Sequence, residues 1–142
     1  MSYSAGIGLA MPDGKVLAVH LHCDGEPKKA GAILVQNYTT FEQVEALIEL
    51  GFLYSLGAQV CPAPTTPHTR SHPQPGVTVA YCRDWGYPID EALEFRDRME
   101  YAVEADDLLL SDDLYLFEGE RWLIFDYPQC AWRELAEVIK NN

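Results

Sequence analysis

Two short stretches carry the residue types that do chemistry. In Val16-Leu17-Ala18-Val19-His20-Leu21-His22-Cys23-Asp24-Gly25 the side chains alternate until a turn. Read as a strand, the run places Leu17, Val19, Leu21 and Cys23 on one face and Val16, Ala18, His20 and His22 on the other, with Asp24 at its exit. The two histidines then lie about 7 Å apart at a rise of about 3.3 Å per residue. Imidazoles at that spacing can supply two metal ligands and Asp24 a third, or the three can contact a small ligand, or they can form a solvated strand face.

The second stretch, Val77-Thr78-Val79-Ala80-Tyr81-Cys82, ends in Arg83-Asp84. An arginine at a strand end can clamp a carboxylate or phosphate while an aspartate orients it; the plain alternative is an ion pair that caps the strand. Where the two strand ends are neighbours, His20, His22, Asp24, Arg83 and Asp84 converge, as in a nucleotide- or metal-binding protein or a hydrolase. Cys61, His68 and His72 offer a sparser metal-like spacing that lacks the second cysteine of a structural zinc site. No phosphate-loop, nucleophile-elbow or His-Glu-x-x-His pattern is present. No catalytic residue, resident metal or cofactor is assigned.

Charge is the other chemical signal. The 142 residues carry a net charge of −12. Residues 1–70 hold four basic and six acidic side chains, and residues 71–142 hold six and sixteen. The span Asp84–Glu120 alone has thirteen acids against Arg96 and Arg98. Direct nucleic-acid binding needs clusters of Lys and Arg that this chain lacks. Its complement is a basic protein, and the candidate contact residues are Asp97, Glu100, Glu104, Asp106, Asp107, Asp112, Asp113, Glu118 and Glu120. An acidic surface that only keeps a small protein soluble is the bland alternative.

These residues must be held by a single domain, since 142 residues suffice for one core. Pro12-Asp13-Gly14-Lys15 is turn chemistry joining Tyr3–Ala10 to the His20 strand as a hairpin. Ala30, Ile33, Leu34 and Tyr38 predict a helix from about Pro27 to Asn37. Thr40 and Gln43 have capping-box spacing ahead of a second helix stopped by Gly51. Five prolines between Cys61 and Gly76 predict a loop or flap. Val77–Cys82 reads as a strand, which would bury Cys82 along with Cys23. Ile89–Glu104 reads as a helix with Ala92, Leu93, Phe95, Arg96, Met99 and Val103 inward, Asp90 near its start and acids outward, and 106–113 reads as a loop. Leu114–Glu118 and Trp122–Asp126 form a second hairpin. Cys130–Lys140 closes the chain as a helix with Trp132, Leu135, Ala136 and Ile139 at helical spacing. The expected class is α+β: a mainly antiparallel sheet built from hairpins, with three to four helices on it.

No apolar run has spanning length, no signal-peptide pattern opens the chain, and the four cysteines are scattered. A cytoplasmic protein with reduced thiols and no membrane contact is expected.

The sequence also resembles a family of small phage and prophage proteins of unknown function. The resemblance rests on Pro12-Asp13-Gly14-Lys15-Val16, on His22-x-Asp24-Gly25-x-Pro27 with Gly31, Leu34 and Tyr38, on Val44-x-Ala46-Leu47-Ile48-x-Leu50-Gly51, and on Gly76 to Asp84. His22, Asp24, Arg83 and Asp84 match the family pattern. Cys23 and Trp85 depart from it, standing where the family favours an aromatic residue and a second arginine. The resemblance implies a viral or mobile-element origin and, by analogy of setting, a non-enzymatic inhibitor of host defence acting on a basic nucleic-acid-handling protein such as a CRISPR effector.

Overall fold

The structure is a computed structural model that describes residues 3–64, 66, 68, 69, 72–86, 91–109 and 112–140, with 106–109 as backbone only. Strands β1 (Ala5–Ala10) and β2 (Val16–Leu21) form the first hairpin in register Ala5↔Leu21 to Ala10↔Val16. Its turn is closed by Met11 N–H on the Lys15 carbonyl (2.7 Å) and by Lys15 N–H on Asp13 Oδ1 (3.0 Å). A wide helical turn, Pro27–Gly31, runs into α1 (Ala32–Asn37). Helix α2 (Phe41–Glu49) follows, then β3 (Leu53–Ser55). Strand β4 (Val79–Ala80) and α3 (Tyr81–Trp85) come after the proline-rich loop. Next are β5 (Leu93–Phe95), α4 (Arg98–Leu109), β6 (Asp113–Glu118), β7 (Arg121–Asp126), β8 (Ala131–Glu134) and α5 (Leu135–Lys140).

The class is α+β with one mixed eight-stranded sheet. Its order is β4-β3-β2-β1-β6-β7-β8, with β5 pairing the start of β2. The pairs β1–β6 and β2–β3 are parallel and the others antiparallel. A parallel neighbour requires a crossover, and α1 and α2 supply it between β2 and β3.

Strand β2 is central because both of its faces are covered. Val19 and Leu21 join Leu34, Leu47, Ile48 and Leu135 in one core, while Val16 and Ala18 join Phe95, Tyr101, Ala105 and Leu116 in the other. The sheet can lie this close to α4 because β1 has glycine there: a Cβ on Gly8 would stand 2.9 Å from the ring of Tyr101. That ring is fully buried and donates its hydroxyl to the Tyr115 carbonyl at 2.9 Å.

Helix α2 begins as its spacing predicts. Gln43 N–H donates to Thr40 Oγ1 at 3.2 Å and Thr40 N–H to Gln43 Oε1 at 3.1 Å, and Gly51 at φ +81° ends the segment. Thr40→Ala removes one half of this box and is expected to cost about 1 kcal/mol of stability, read as a lower urea midpoint at unchanged slope.

Four segments differ from the expectations. Val77–Cys82 is a strand only at Val79–Ala80, because Asp84 accepts the Ala80 N–H at 2.8 Å and winds Tyr81–Trp85 into a helical turn stopped by Gly86 at φ +73°. Cys82 is consequently exposed, and Cys23 is only half-buried. Ile89–Glu104 is not one helix: Leu93–Phe95 pairs with β2, and α4 starts at Arg98. Asp97 Oδ1 accepts the Glu100 N–H (2.8 Å) and Glu100 Oε1 the Arg96 N–H (3.0 Å), a reciprocal cap that sets the start. The face that packs inward is not the one the spacing suggested. Tyr101, Ala102 and Ala105 are buried, whereas Met99 and Val103 are 54% and 63% exposed. Ile89 and Asp90 lie outside the described residues. The helix also continues through Leu109, into the segment expected as a loop. Finally, Ala131–Glu134 pairs with β7 as a strand before α5, so Trp132 is a strand residue. Cys130 at φ +53° makes the turn that brings the chain back along β7.

Candidate functional site

The strand that carries His20 and His22 is held in the sheet as far as Cys23, whose N–H donates to the Tyr54 carbonyl at 3.0 Å; His22 N–H donates to Leu53 at 2.9 Å. Because Leu21 pairs with Leu53 and both face the α2 core, His20, His22, Phe52 and Tyr54 share the other face. Their rings form a row. His20 lies 5.9 Å from Phe52 and 6.2 Å from His22, His22 lies 5.8 Å from Tyr54, and Tyr54 lies 4.7 Å from Trp85. Asp24 adopts φ +57° at the strand exit and pairs with Lys29 at 3.2 Å.

Arg83 and Asp84 are engaged with the chain itself. Arg83 Nε donates to Asp84 Oδ1 at 2.8 Å and Nη2 to Oδ2 at 3.0 Å. Two further guanidinium hydrogens reach the Val60 carbonyl (2.5 Å) and the Thr78 carbonyl (2.7 Å), one on each side of the proline-rich loop. Asp84 also meets His68 Nε2 at 3.4 Å, and the His68 and Asp84 side chains are 3% and 5% exposed. His68 Nδ1 accepts the Gln74 N–H at 2.9 Å. In the neutral ring Nε2 therefore carries the hydrogen and faces Asp84. Nδ1 is taken by Gln74, and Nε2 faces the Asp84 carboxylate at ion-pair distance without hydrogen-bond geometry, so the buried His–Asp pair fastens the loop.

Electrostatics agrees with that role. Burial pushes the Asp84 carboxyl up, but the Arg83 hydrogen bonds, the Ala80 N–H and the charges of Arg83 and His68 outweigh it and hold the group below the ordinary carboxylate value.

Strand β3 separates β2 from β4, so the His22 and Arg83 ends are not adjacent strands; Tyr54 lies between them, touching His22 on one side and Trp85 on the other. Among the described residues no group of three His, Cys, Asp or Glu is placed to hold a metal ion, and no helix is long and apolar enough to cross a membrane.

The acidic candidates divide by what they touch. Asp97 and Glu100 cap α4, and Glu118 pairs with Arg98 at 2.8 Å. Asp112 accepts the Ser4 N–H at 2.9 Å, and Asp113 accepts the Tyr3 hydroxyl. Burial raises the Asp113 carboxyl above its ordinary value; the Tyr3 bond lowers it and the Asp112 charge adds to the rise. Glu104 and Glu120 are exposed, on α4 and in the β6–β7 turn. The side chains of Asp106 and Asp107 lie outside the described residues.

Comparison with family models, with curated proteins and with solved structures finds no match. The site therefore rests on geometry, and two features stand out that the helical spacing did not point to. One is the Met99 and Val103 pair, one turn apart on the outer face of α4. The other is the ring row, whose Phe52 and Tyr54 members become visible once β3 is known to lie beside β2. The Asp97-x-x-Glu100 cap marks where α4 begins, but that Met99 and Val103 face outward follows from the packing of Tyr101, Ala102 and Ala105 against the sheet.

Proposed function

We propose that the chain is a non-enzymatic binding protein that docks on a basic protein through the outer face of α4. The observation that carries this is the exposed pair Met99 and Val103, beside Glu100 and Glu104 on the same helix. An apolar centre with charged residues around it is the anatomy of a protein interface. The acids favour a basic partner and speed its encounter. The resemblance to phage proteins supports a phage-encoded inhibitor acting in the host cytoplasm, with a nucleic-acid-handling protein such as a CRISPR effector as the target. The ligand-binding alternative loses support from Arg83 and Asp84, whose hydrogen bonds are directed inward.

The test is capture from a host lysate at low and high salt, followed by mass spectrometry, with wild type beside Met99→Ser/Val103→Ser and Glu104→Lys. A basic protein retained by wild type at low salt, lost at high salt and lost with either variant is the expected result. Identical retention by all three chains would remove the reading. Glu100, Asp112 and Asp113 are unsuitable for charge reversal because they hold the fold together.

A further inference from the structure

Gln74 ties the two limbs of the proline-rich loop together. Its side-chain amide donates to the carbonyls of Ala63 (3.0 Å) and Thr66 (2.5 Å), its Oε1 accepts the Ala63 N–H (2.9 Å), and its backbone N–H reaches His68 Nδ1 (2.9 Å). The first three bonds join amides, whose hydrogens do not change with pH. The fourth has an imidazole nitrogen as its acceptor, and that nitrogen can take up a proton.

His68 stands between two partners that favour different states of its ring. The Gln74 N–H needs a bare lone pair on Nδ1, which only the neutral ring offers. Asp84 Oδ2, 3.4 Å from Nε2, favours the imidazolium. The same oxygen accepts the Ala80 N–H (2.8 Å) and an Arg83 hydrogen (3.0 Å). From α3 the charged groups beside the ring are therefore Asp84, which draws a proton to it, and Arg83, which opposes one; from the loop its partner Gln74 is uncharged. The loop's other described histidine, His72, is exposed and gives its N–H to Thr69 Oγ1 at 3.1 Å.

Burial makes the two states exclusive. An imidazolium has a hydrogen on both nitrogens, so its Nδ1–H would point at the Gln74 N–H and leave two donors facing each other. The His68 side chain is only 3% exposed, and solvent has little access to separate them. We propose that His68 is a proton-operated latch on the proline-rich loop: the neutral ring holds Gln74, and the imidazolium stays on Asp84 and releases it. The proton acts as the ligand that selects between the two arrangements. The latch goes beyond binding through α4 and does not depend on it.

Nuclear magnetic resonance on the full chain tests it between about pH 8 and about pH 5, the range in which imidazole ordinarily changes charge. Ring-nitrogen shifts follow the His68 tautomer and its protonation, and amide exchange, corrected for the intrinsic effect of pH, follows the Gln74 N–H. At about pH 8 the ring hydrogen should sit on Nε2 and the Gln74 amide should be protected. As His68 gains its proton, Gln74 protection should fall by about tenfold with the same midpoint, the effect of one lost hydrogen bond, while the amides of β2 keep theirs. His68→Asn keeps an oxygen near the Nδ1 position and takes up no proton, so Gln74 should stay protected across the range; His72→Asn should respond as wild type does. Equal Gln74 protection beside the neutral and the charged ring, a ring that stays neutral throughout, a hydrogen on Nδ1 at the upper end, the same loss in His68→Asn, or no response in His72→Asn would overturn the proposal. The wild-type titration decides by itself where a variant fails to fold.

Discussion

Asp84→Ala is expected to cost about 3 kcal/mol of folding stability, the lower end of the range for breaking a buried ion pair because Arg83 is 27% exposed. Two donors lose their acceptor together, the Arg83 guanidinium and the Ala80 N–H, and the buried His68 ring loses the carboxylate it faces. Urea unfolding gives the magnitude. Limited proteolysis should show cleavage within 61–76, because Arg83 also binds the Val60 and Thr78 carbonyls that bracket this loop. Asp84→Asn keeps an oxygen for Ala80 and should lose less.

The pH dependence has a definite sign. A carboxyl held below its unfolded value contributes stability that is complete above about pH 4 and lost as pH falls through the folded value. The acid limb of the wild-type stability curve should therefore be steeper than that of Asp84→Asn. Matching acid limbs would show that Asp84 is not held as described.

Gly57→Ala is the second large effect, expected at about 3 kcal/mol. A Cβ at this position would stand 2.5 Å from the Gly76 carbonyl oxygen and 2.8 Å from the Val77 carbonyl carbon, both backbone atoms. Neither strand of chain can withdraw freely. Gly57 donates its N–H to Thr78 Oγ1 at 3.0 Å and accepts the Tyr38 hydroxyl at 2.7 Å. Gly76→Ala is the control: nothing lies within 4 Å of its Cβ, and only the positive φ of +75° opposes it, at about 1 kcal/mol. Comparable losses in the two variants would contradict the close approach at Gly57.

What the sequence disclosed followed from local rules. The Val16–Leu21 strand, the Pro12–Lys15 turn, the Thr40–Gln43 cap and the Leu114–Asp126 hairpin are each set by neighbours within a few residues, and each is where its pattern put it. The failures share another cause. Leu93-Glu94-Phe95 has helix-compatible spacing and becomes a strand because β2 offers it an edge at Val16–Ala18. Ala131–Glu134 becomes a strand because β7 offers another. Edge pairing is a property of the whole sheet and leaves little trace in a short segment.

The candidate site was legible in part. His20 and His22 do share a face, but the rings beside them come from Phe52, just ahead of β3, and from Tyr54 within it, some thirty residues away in sequence. Arg83 and Asp84 carry the residue types of a ligand clamp, and only the tertiary placement of Val60, His68 and Thr78 turns them inward. The acidic bias of the second half is visible from composition alone. Which acids are structural and which face outward is decided by tertiary placement: Asp97 and Glu100 cap α4, and Asp112, Asp113 and Glu118 meet Ser4, Tyr3 and Arg98.

The most direct test of binding through α4 is the dissociation constant of the captured partner at about 50 mM and about 300 mM salt, a range over which screening of exposed charges changes strongly. Wild type should weaken steeply with salt. Glu104→Lys should weaken binding at low salt and flatten the dependence, while Met99→Ser/Val103→Ser should weaken it at both concentrations and keep the wild-type slope. A dissociation constant unaffected by salt and by both variants would contradict binding through this face.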